Sequence, residues 1–399
     1  MNKPMMPIRG LKNLQLTFSI WIGLSILYQI YFFEFNNGIL VGGESQRFFL
    51  KVVFTAFFSL SVRDYLSLNA FSRNLPYKLP ILYVVFSICV VAPFLESAYL
   101  QALNILFFMP ILFVNWNKKG GDELFTKIFK LIVLITVVQL IMDPIFKFYL
   151  NVFWENRALI GGMGNPNVFG LFLIASGLAC DILITSRLPH ISTFLFFSTF
   201  FTGSLVSSIV GLFFILLKIR NFLKYPSIFR ILFSCSVFFA FYAILFGEYF
   251  IDETVPVRHA IDKFIGIMVF DLDDINSAPA SLSLRMEYLI GGLTLIEKSP
   301  LSLIFGHPNF LPIYNGDGLW ISFVVSFGVP LTLYFLIVNL MLLYRGITSQ
   351  NRQFKFSGAL IFVSLCFFTT NRILDYWPAA FLYFLAFTYL TNKSALKNS

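Results

Sequence analysis

Five basic residues and two proton acceptors carry the chemistry this sequence could do. Arg157 stands shortly ahead of a glycine-rich turn, Gly161-Gly162-Met163-Gly164. Arg285 lies in a stretch, 281–297, that reads as a helix capped by Ser281 or Ser283 and ended before Pro300. Arg47 and Lys51 are four apart and share one helix face. Arg372 lies between two apolar runs. A guanidinium stays charged and grips phosphate through several planar N–H groups, and flanking glycines let a ligand approach the backbone. These cations therefore suit an anionic, phosphate-bearing ligand. Each also has a plainer role, snorkelling to headgroups or pairing with a nearby acid. Asp317, opening a long apolar run, and His307, ten residues earlier, could accept a proton from a hydroxyl. Their plainer roles are a helix cap and a loop residue. Asp271, Asp273 and Asp274 have the spacing of hard-cation ligands, but no further ligand accompanies them and no metal site is expected. Asp143 and Asp181 are expected to cap or pair at span ends, and Asp375 to pair with Arg372.

The elements that must position these groups follow from composition. Of 399 residues, 58% are hydrophobic, only 12% are charged, and 52 are Phe. Soluble domains carry about 25% charged residues. The chain reads as one all-α, polytopic membrane domain over 1–399. The net charge of +9 does not indicate nucleic acid, because the bases recur between apolar runs as membrane anchors do. Cys89, Cys180, Cys235 and Cys366 all fall inside apolar runs and read as buried small hydrophobes, since a disulfide framework or a zinc site needs paired, accessible thiols at close spacing. The first apolar run has no cleavage site after it and reads as a retained span.

About 20 helical residues cross a bilayer. Apolar runs place spans at 14–33, 47–62, 79–95, 100–116, 127–143, 167–185, 191–203, 205–217, 229–246, 318–343, 356–370 and 378–391. The run 191–217 could be one helix, but Thr202-Gly203-Ser204 offers a turn. Splitting it puts 20 of the 29 bases on the side of the N-terminus; leaving it whole reverses every later segment, against the positive-inside rule. About twelve spans result, with both termini cytoplasmic. The segment 247–318, net −6 with half of the chain's acids, becomes one large outer loop. Two half-length helices meeting at a Gly-Ser break need protein or a wet cavity around them. A cleft near Ser204, open to the outer face, is expected. Asn165, Asn167 and Tyr314 are its further candidates, the first two from an Asn-Pro-Asn turn entering a span and the last from Tyr314-Asn315-Gly316-Asp317-Gly318. No internal repeat is visible.

Three motifs recur in one arrangement. An Arg precedes a glycine-rich turn and an Asn at a span mouth, Arg157 through GGMGNPNVFG. An Arg on the loop helix precedes Ser299-Pro300 and Phe305-Gly306. A polar residue, Asp317, enters a span containing Phe327-Gly328. With the layout of spans and one large late loop, residues 150–345 resemble the bacterial O-antigen polymerase and O-antigen ligase superfamily. Ser204 is followed by Leu205 where the family often has Ser-Arg, and Gly316-Asp317 stands where ligases carry His-Asn. The second departure favours a polymerase. The resemblance implies a GT-C-like glycosyltransferase fold in the bacterial inner membrane, with its active site facing the periplasm. It implies an inverting transfer between glycan repeat units carried on undecaprenyl diphosphate. Arg157 and Arg285 would hold the leaving diphosphate, with Arg47, Lys51 and Arg372 as further cations. Asp317 or His307 would be the base, and neither a cofactor nor a metal is needed. The implied partners are the lipid-linked oligosaccharide, a chain-length regulator and a flippase. A ligase that moves the glycan to lipid A core is the nearer alternative. A lipid-linked oligosaccharide flippase is the other, although it needs charges inside the bundle and no large outer loop.

Overall fold

The computed structural model describes residues 44–91, 107–150, 158–161, 165–184, 189–222, 287, 290–292, 294, 296–298, 300–306, 318–370, 374 and 377–393. In chain order the helices are α1 (Glu44–Val62), α2 (Leu68–Ser72), α3 (Leu75–Val91), α4 (Met109–Leu112) and α5 (Gly121–Leu150). Then come α6 (Pro166–Leu178), α7 (Pro189–Ser198), α8 (Leu205–Phe222), α9 (Ser302–Phe305), α10 (Leu319–Thr348), α11 (Arg352–Phe368) and α12 (Trp377–Asn392). Among the described residues there is no strand, only an isolated bridge between Leu66 and Val114. Gly121–Ile145, Pro166–Leu183 and Leu319–Thr348 are long and apolar enough to cross a membrane. The chain is an all-α protein of membrane character. The expected spans 14–33 and 229–246, and most of 247–318, lie outside the described residues.

Two compact units form, Met1–Ser61 with Asp122–Phe264, and Val62–Gly121 with Ile265–Ser399. In the first, Asn165 caps α6, accepting from the Asn167 backbone N–H at 2.8 Å, and Pro166 fills N1, where its missing N–H does no harm. A π turn, Ala179–Leu183, extends α6 and carries Asp181. The run 191–217 is two helices. α7 tightens into a 3₁₀ turn at Thr199–Thr202, and Gly203 takes φ +62°, a left-handed conformation that disfavours side chains. The contacts then step in opposite directions. Phe196 stacks on Phe214 with centroids 5.3 Å apart, and a Cβ on Gly211 would lie 2.2 Å from Thr199 Oγ1. Lys218 reaches Ser192. α7 and α8 are therefore an antiparallel hairpin.

The second unit is built on α10, α11 and α12. Gly346 and Gly358 allow α10 and α11 to touch at backbone distance, since a Cβ on Gly346 would fall 2.4 Å from Gly358 Cα. An aromatic cluster of Trp320, Phe335, Phe368 and Tyr383 fills the space between the three helices. Tyr383, fully buried, donates to Asn339 Oδ1 at 2.9 Å, so its hydroxyl does not enter the core unpaired.

Three expectations need correction. The described end of 100–116 is not helical: α4 stops at Leu112, Val114 bridges Leu66, and Trp116 is a buried turn residue. The Leu112 and Val114 carbonyls bond the Asn392 side chain, at 2.9 Å each, in place of a helix ladder. The helix expected over 127–143 runs further at both ends, from Gly121 through Pro144 to Leu150, while Asp143 lies near the end of the apolar span Gly121–Ile145 and is bonded there by the Ile160 N–H, as expected. The arm expected over 205–217 continues five residues further as α8, because Lys218 finds a partner on the α6 side instead of ending the helix in water.

Candidate functional site

Within the first unit, the hairpin turn and the mouth of α6 meet in a polar cluster. Ser204 donates to Asn167 Oδ1. Its Oγ accepts from the Ser207 backbone N–H at 3.2 Å and from the Ser207 hydroxyl at 2.8 Å, so it caps α8. The Ser208 hydroxyl donates to the Ser204 carbonyl at 2.9 Å. The segment that follows Arg157 in sequence is anchored beside this turn. Leu159 N–H donates to the Phe201 carbonyl at 2.9 Å, and Ile160 N–H donates to Asp143 Oδ2 at 2.9 Å. Residues 158–161 are buried, as is Asp143. Ser204 is only 5% exposed, so it lines no open cleft among the described residues; Asn165 and Asn167 are half-buried. Among the described residues the turn is a packed hydroxyl cluster, and no wet opening of the kind the break suggested is seen there. At the break the Gly203 N–H donates to the Phe200 carbonyl at 3.4 Å and the Ser204 N–H to the Thr202 hydroxyl at 3.3 Å.

At the other end of the same helices lies an ion pair. Lys218 Nζ is 2.8 Å from Asp181 Oδ1, which also accepts from the Ser192 hydroxyl at 2.6 Å. Asp181 thus pairs near a span end, as expected. The π turn matters here because it adds a residue within the α6 run just where the carboxylate must face Lys218.

Within the second unit, the two Phe-Gly dipeptides are each other's contact. Gly306 (φ +81°, ψ 169°) and Gly328 (φ +81°, ψ 166°) share a conformation essentially restricted to glycine. A Cβ on Gly306 would sit 2.0 Å from the Ser326 carbonyl oxygen, and one on Gly328 would sit 2.1 Å from the Ile304 oxygen. In glycine a hydrogen occupies that place, so each dipeptide directs a Cα–H at the other's carbonyl. Pro330 has no N–H for the Ser326 carbonyl four residues back, which leaves that oxygen facing the loop. The stretch 300–306 is thereby seated on the break in α10.

The basic segments of this unit gather at its opposite end. Arg73 donates to the Asn392 carbonyl at 3.1 Å, Asn74 to Thr391 at 2.6 Å and Asn117 to Asn392 at 2.7 Å. Arg345 donates to Lys393 at 2.7 Å, Lys393 to Trp116 at 3.1 Å, and Lys118 to the Asp64 carbonyl. The last carbonyls of α12 are thus satisfied by cations and amides from three other segments. Buried Lys78 serves α2 in the same way, donating to Ala70 and Phe71 at 2.8 Å and to Arg73 at 3.1 Å. All these segments are ones that charge parity places on one side.

Arg157, Arg285, Arg372, His307, Asp317 and Tyr314 lie outside the described residues, as do Asp271, Asp273, Asp274 and Asp375. Arg47 and Lys51 fall in the first two turns of α1. α10 begins at Leu319 with Gly318 at the cap position, one residue after Asp317. No cluster of metal-ligating side chains occurs among the described residues. Sequence reading missed Gln139, which is fully buried in α5 with both amide atoms unpartnered and Thr136 one turn away, hydrogen-bonded to Ser176 of α6 at 2.8 Å. A lone Gln in an apolar run was the available signal. No protein-family model matches this chain, and no curated protein sequence matches it.

Proposed function

We propose that this chain is a polytopic inner-membrane glycosyltransferase that polymerises surface polysaccharide from repeat units on undecaprenyl diphosphate. Arg157 and Arg285 are the diphosphate ligands, with Arg47, Lys51 and Arg372 as supporting cations. Charge builds on the leaving diphosphate as the glycosidic bond breaks, and fixed guanidinium groups stabilise that charge where it develops. Asp317 or His307 takes the proton from the acceptor hydroxyl, which attacks from the opposite face with inversion. A metal is unnecessary because the leaving group already ionises well beside arginine. The polar loop and the Ser204 turn face the periplasm, and the basic ends face the cytoplasm.

The observation that carries the reading is the mutual contact of Phe305-Gly306 with Phe327-Gly328. Two motifs that the resemblance treats separately are one physical feature, tying the end of the large loop to the span that Asp317 precedes. The gathering of basic segments at the far end of the second unit supports the assigned orientation. Deleting the gene and separating the surface glycan by size tests the function. Core carrying a single repeat unit is the expected result; no repeat units indicates a ligase or flippase, and an intact ladder refutes the assignment. Arg157→Ala and Arg285→Ala should reproduce the single-unit pattern, and long chains persisting in both would remove those residues from catalysis.

A further inference from the structure

From its depth along α10, we infer that residues 300–306 are a re-entrant turn sunk into the hydrocarbon of the bilayer, not part of a loop in water. This holds whichever reaction the protein performs. The basic end of the second unit, where Arg345 meets Lys393 and Arg73 meets Asn392, marks one headgroup level. Gly328 lies 17 residues from Arg345 along an unbroken helix, which is about 26 Å at 1.5 Å per residue. The hydrocarbon layer is about 30 Å thick, so the break in α10 falls inside its far boundary. The contacts of Gly306 with Ser326 and of Gly328 with Ile304 hold 300–306 at that same level.

The side chains agree. Leu301 is 69% exposed, Leu303 45%, Ile304 50% and Phe305 66%, while the polar Ser302 is buried. A segment in water would turn its serine out and these four in; this one does the reverse. Non-helical backbone is tolerated at membrane depth only where protein covers it, and here the reciprocal glycine contact covers it. The occupant of this apolar face is bilayer acyl chain.

Nitroxide accessibility in vesicles tests the placement. Cys89, Cys180, Cys235 and Cys366 are replaced by Ala, and Phe305→Cys or Leu301→Cys is spin-labelled in phosphatidylethanolamine–phosphatidylglycerol vesicles. The labels should relax more with oxygen than with a water-soluble nickel chelate, as Leu333→Cys in mid-helix does and Gln350→Cys in the α10–α11 turn does not. Nickel dominance at both Phe305 and Leu301 would overturn the inference. Because removing buried Cys180 could disturb packing, a second comparison leaves the cysteines in place. Phe305→Asp should yield at least about fivefold less folded protein in membranes than Phe305→Leu, since a carboxylate there must enter hydrocarbon. Equal yields would also overturn it.

Discussion

Replacing Gly328 with Ala tests whether the two Phe-Gly dipeptides act as one joint. At φ +81° and ψ 166°, any side chain strains the backbone by about 1–3 kcal/mol. The new methyl would also start 2.1 Å from the Ile304 oxygen, more than an ångström inside normal contact. Residues 300–306 must lift, which gives up two Cα–H···O contacts worth about 0.5–1 kcal/mol each. Gly328→Ala should therefore destabilise the second unit by about 2–5 kcal/mol. Gly306→Ala should do the same, with its methyl 2.0 Å from the Ser326 oxygen. Once the loop has lifted for one methyl, room exists for the other. The double variant should thus fall short of the sum of the singles by at least about 1 kcal/mol. Equilibrium unfolding in mixed micelles reads the stability, and glycan length reads the function, which should shorten in all three variants. Gly318→Ala is the control, because its φ is negative and its nearest atom, the Thr369 oxygen, is 3.4 Å away. Wild-type stability in Gly328→Ala, or strict additivity in the double variant, would refute the joint.

Three other outcomes follow from particular contacts. Lys218→Met leaves Asp181, 26% exposed, with Ser192 alone and should lose about 2–4 kcal/mol, while Asp181→Leu with Lys218→Met should recover most of that; equal losses in both would show that the pair does not hold the hairpin base. Asn392→Ala removes the donor to two buried carbonyls, those of Leu112 and Val114, and should cost about 2–3 kcal/mol of unfolding free energy, with Asn392→Asp no better because a carboxylate cannot donate. For orientation, an alkaline phosphatase fused at Asp274 should be active and one fused at Lys224 silent; the reverse pattern would invert every sidedness assignment.

Much of the helical layout was legible in the sequence. Apolar runs marked most of the helices described, with ends shifted by a few residues. Thr202-Gly203-Ser204 marked the hairpin turn because glycine alone enters the left-handed region freely. Asn165-Pro166 marked the start of α6 because an Asn side chain can cap and proline tolerates N1. The stretch 113–116 misled for a related reason. Phe113, Val114 and Trp116 are as apolar as a span's side chains, yet Phe113 stacks on Phe71 and buried Trp116 packs against Tyr389 and Thr388 of α12, and hydropathy does not distinguish burial in protein from burial in lipid. At the candidate site, sequence singled out Ser204, Asn167 and both Phe-Gly dipeptides. It did not say that Ser204 would be bonded to Asn167, or that the dipeptides would meet.

What the amino-acid sequence settled alone is local: which stretches are helical, where glycine and proline interrupt them, and that so apolar a chain belongs with lipid. Those properties depend on the allowed dihedrals and side-chain solvation of neighbouring residues. The tertiary structure decided the partners. Asp181 lies 37 residues from Lys218, and Asn392 lies 278 from Val114. Gly306 and Gly328 are separated by residues 307–318 and the first arm of α10. No periodicity encodes such pairings, because they depend on which helices pack together and at what height, and that is set by the sum of many side-chain contacts.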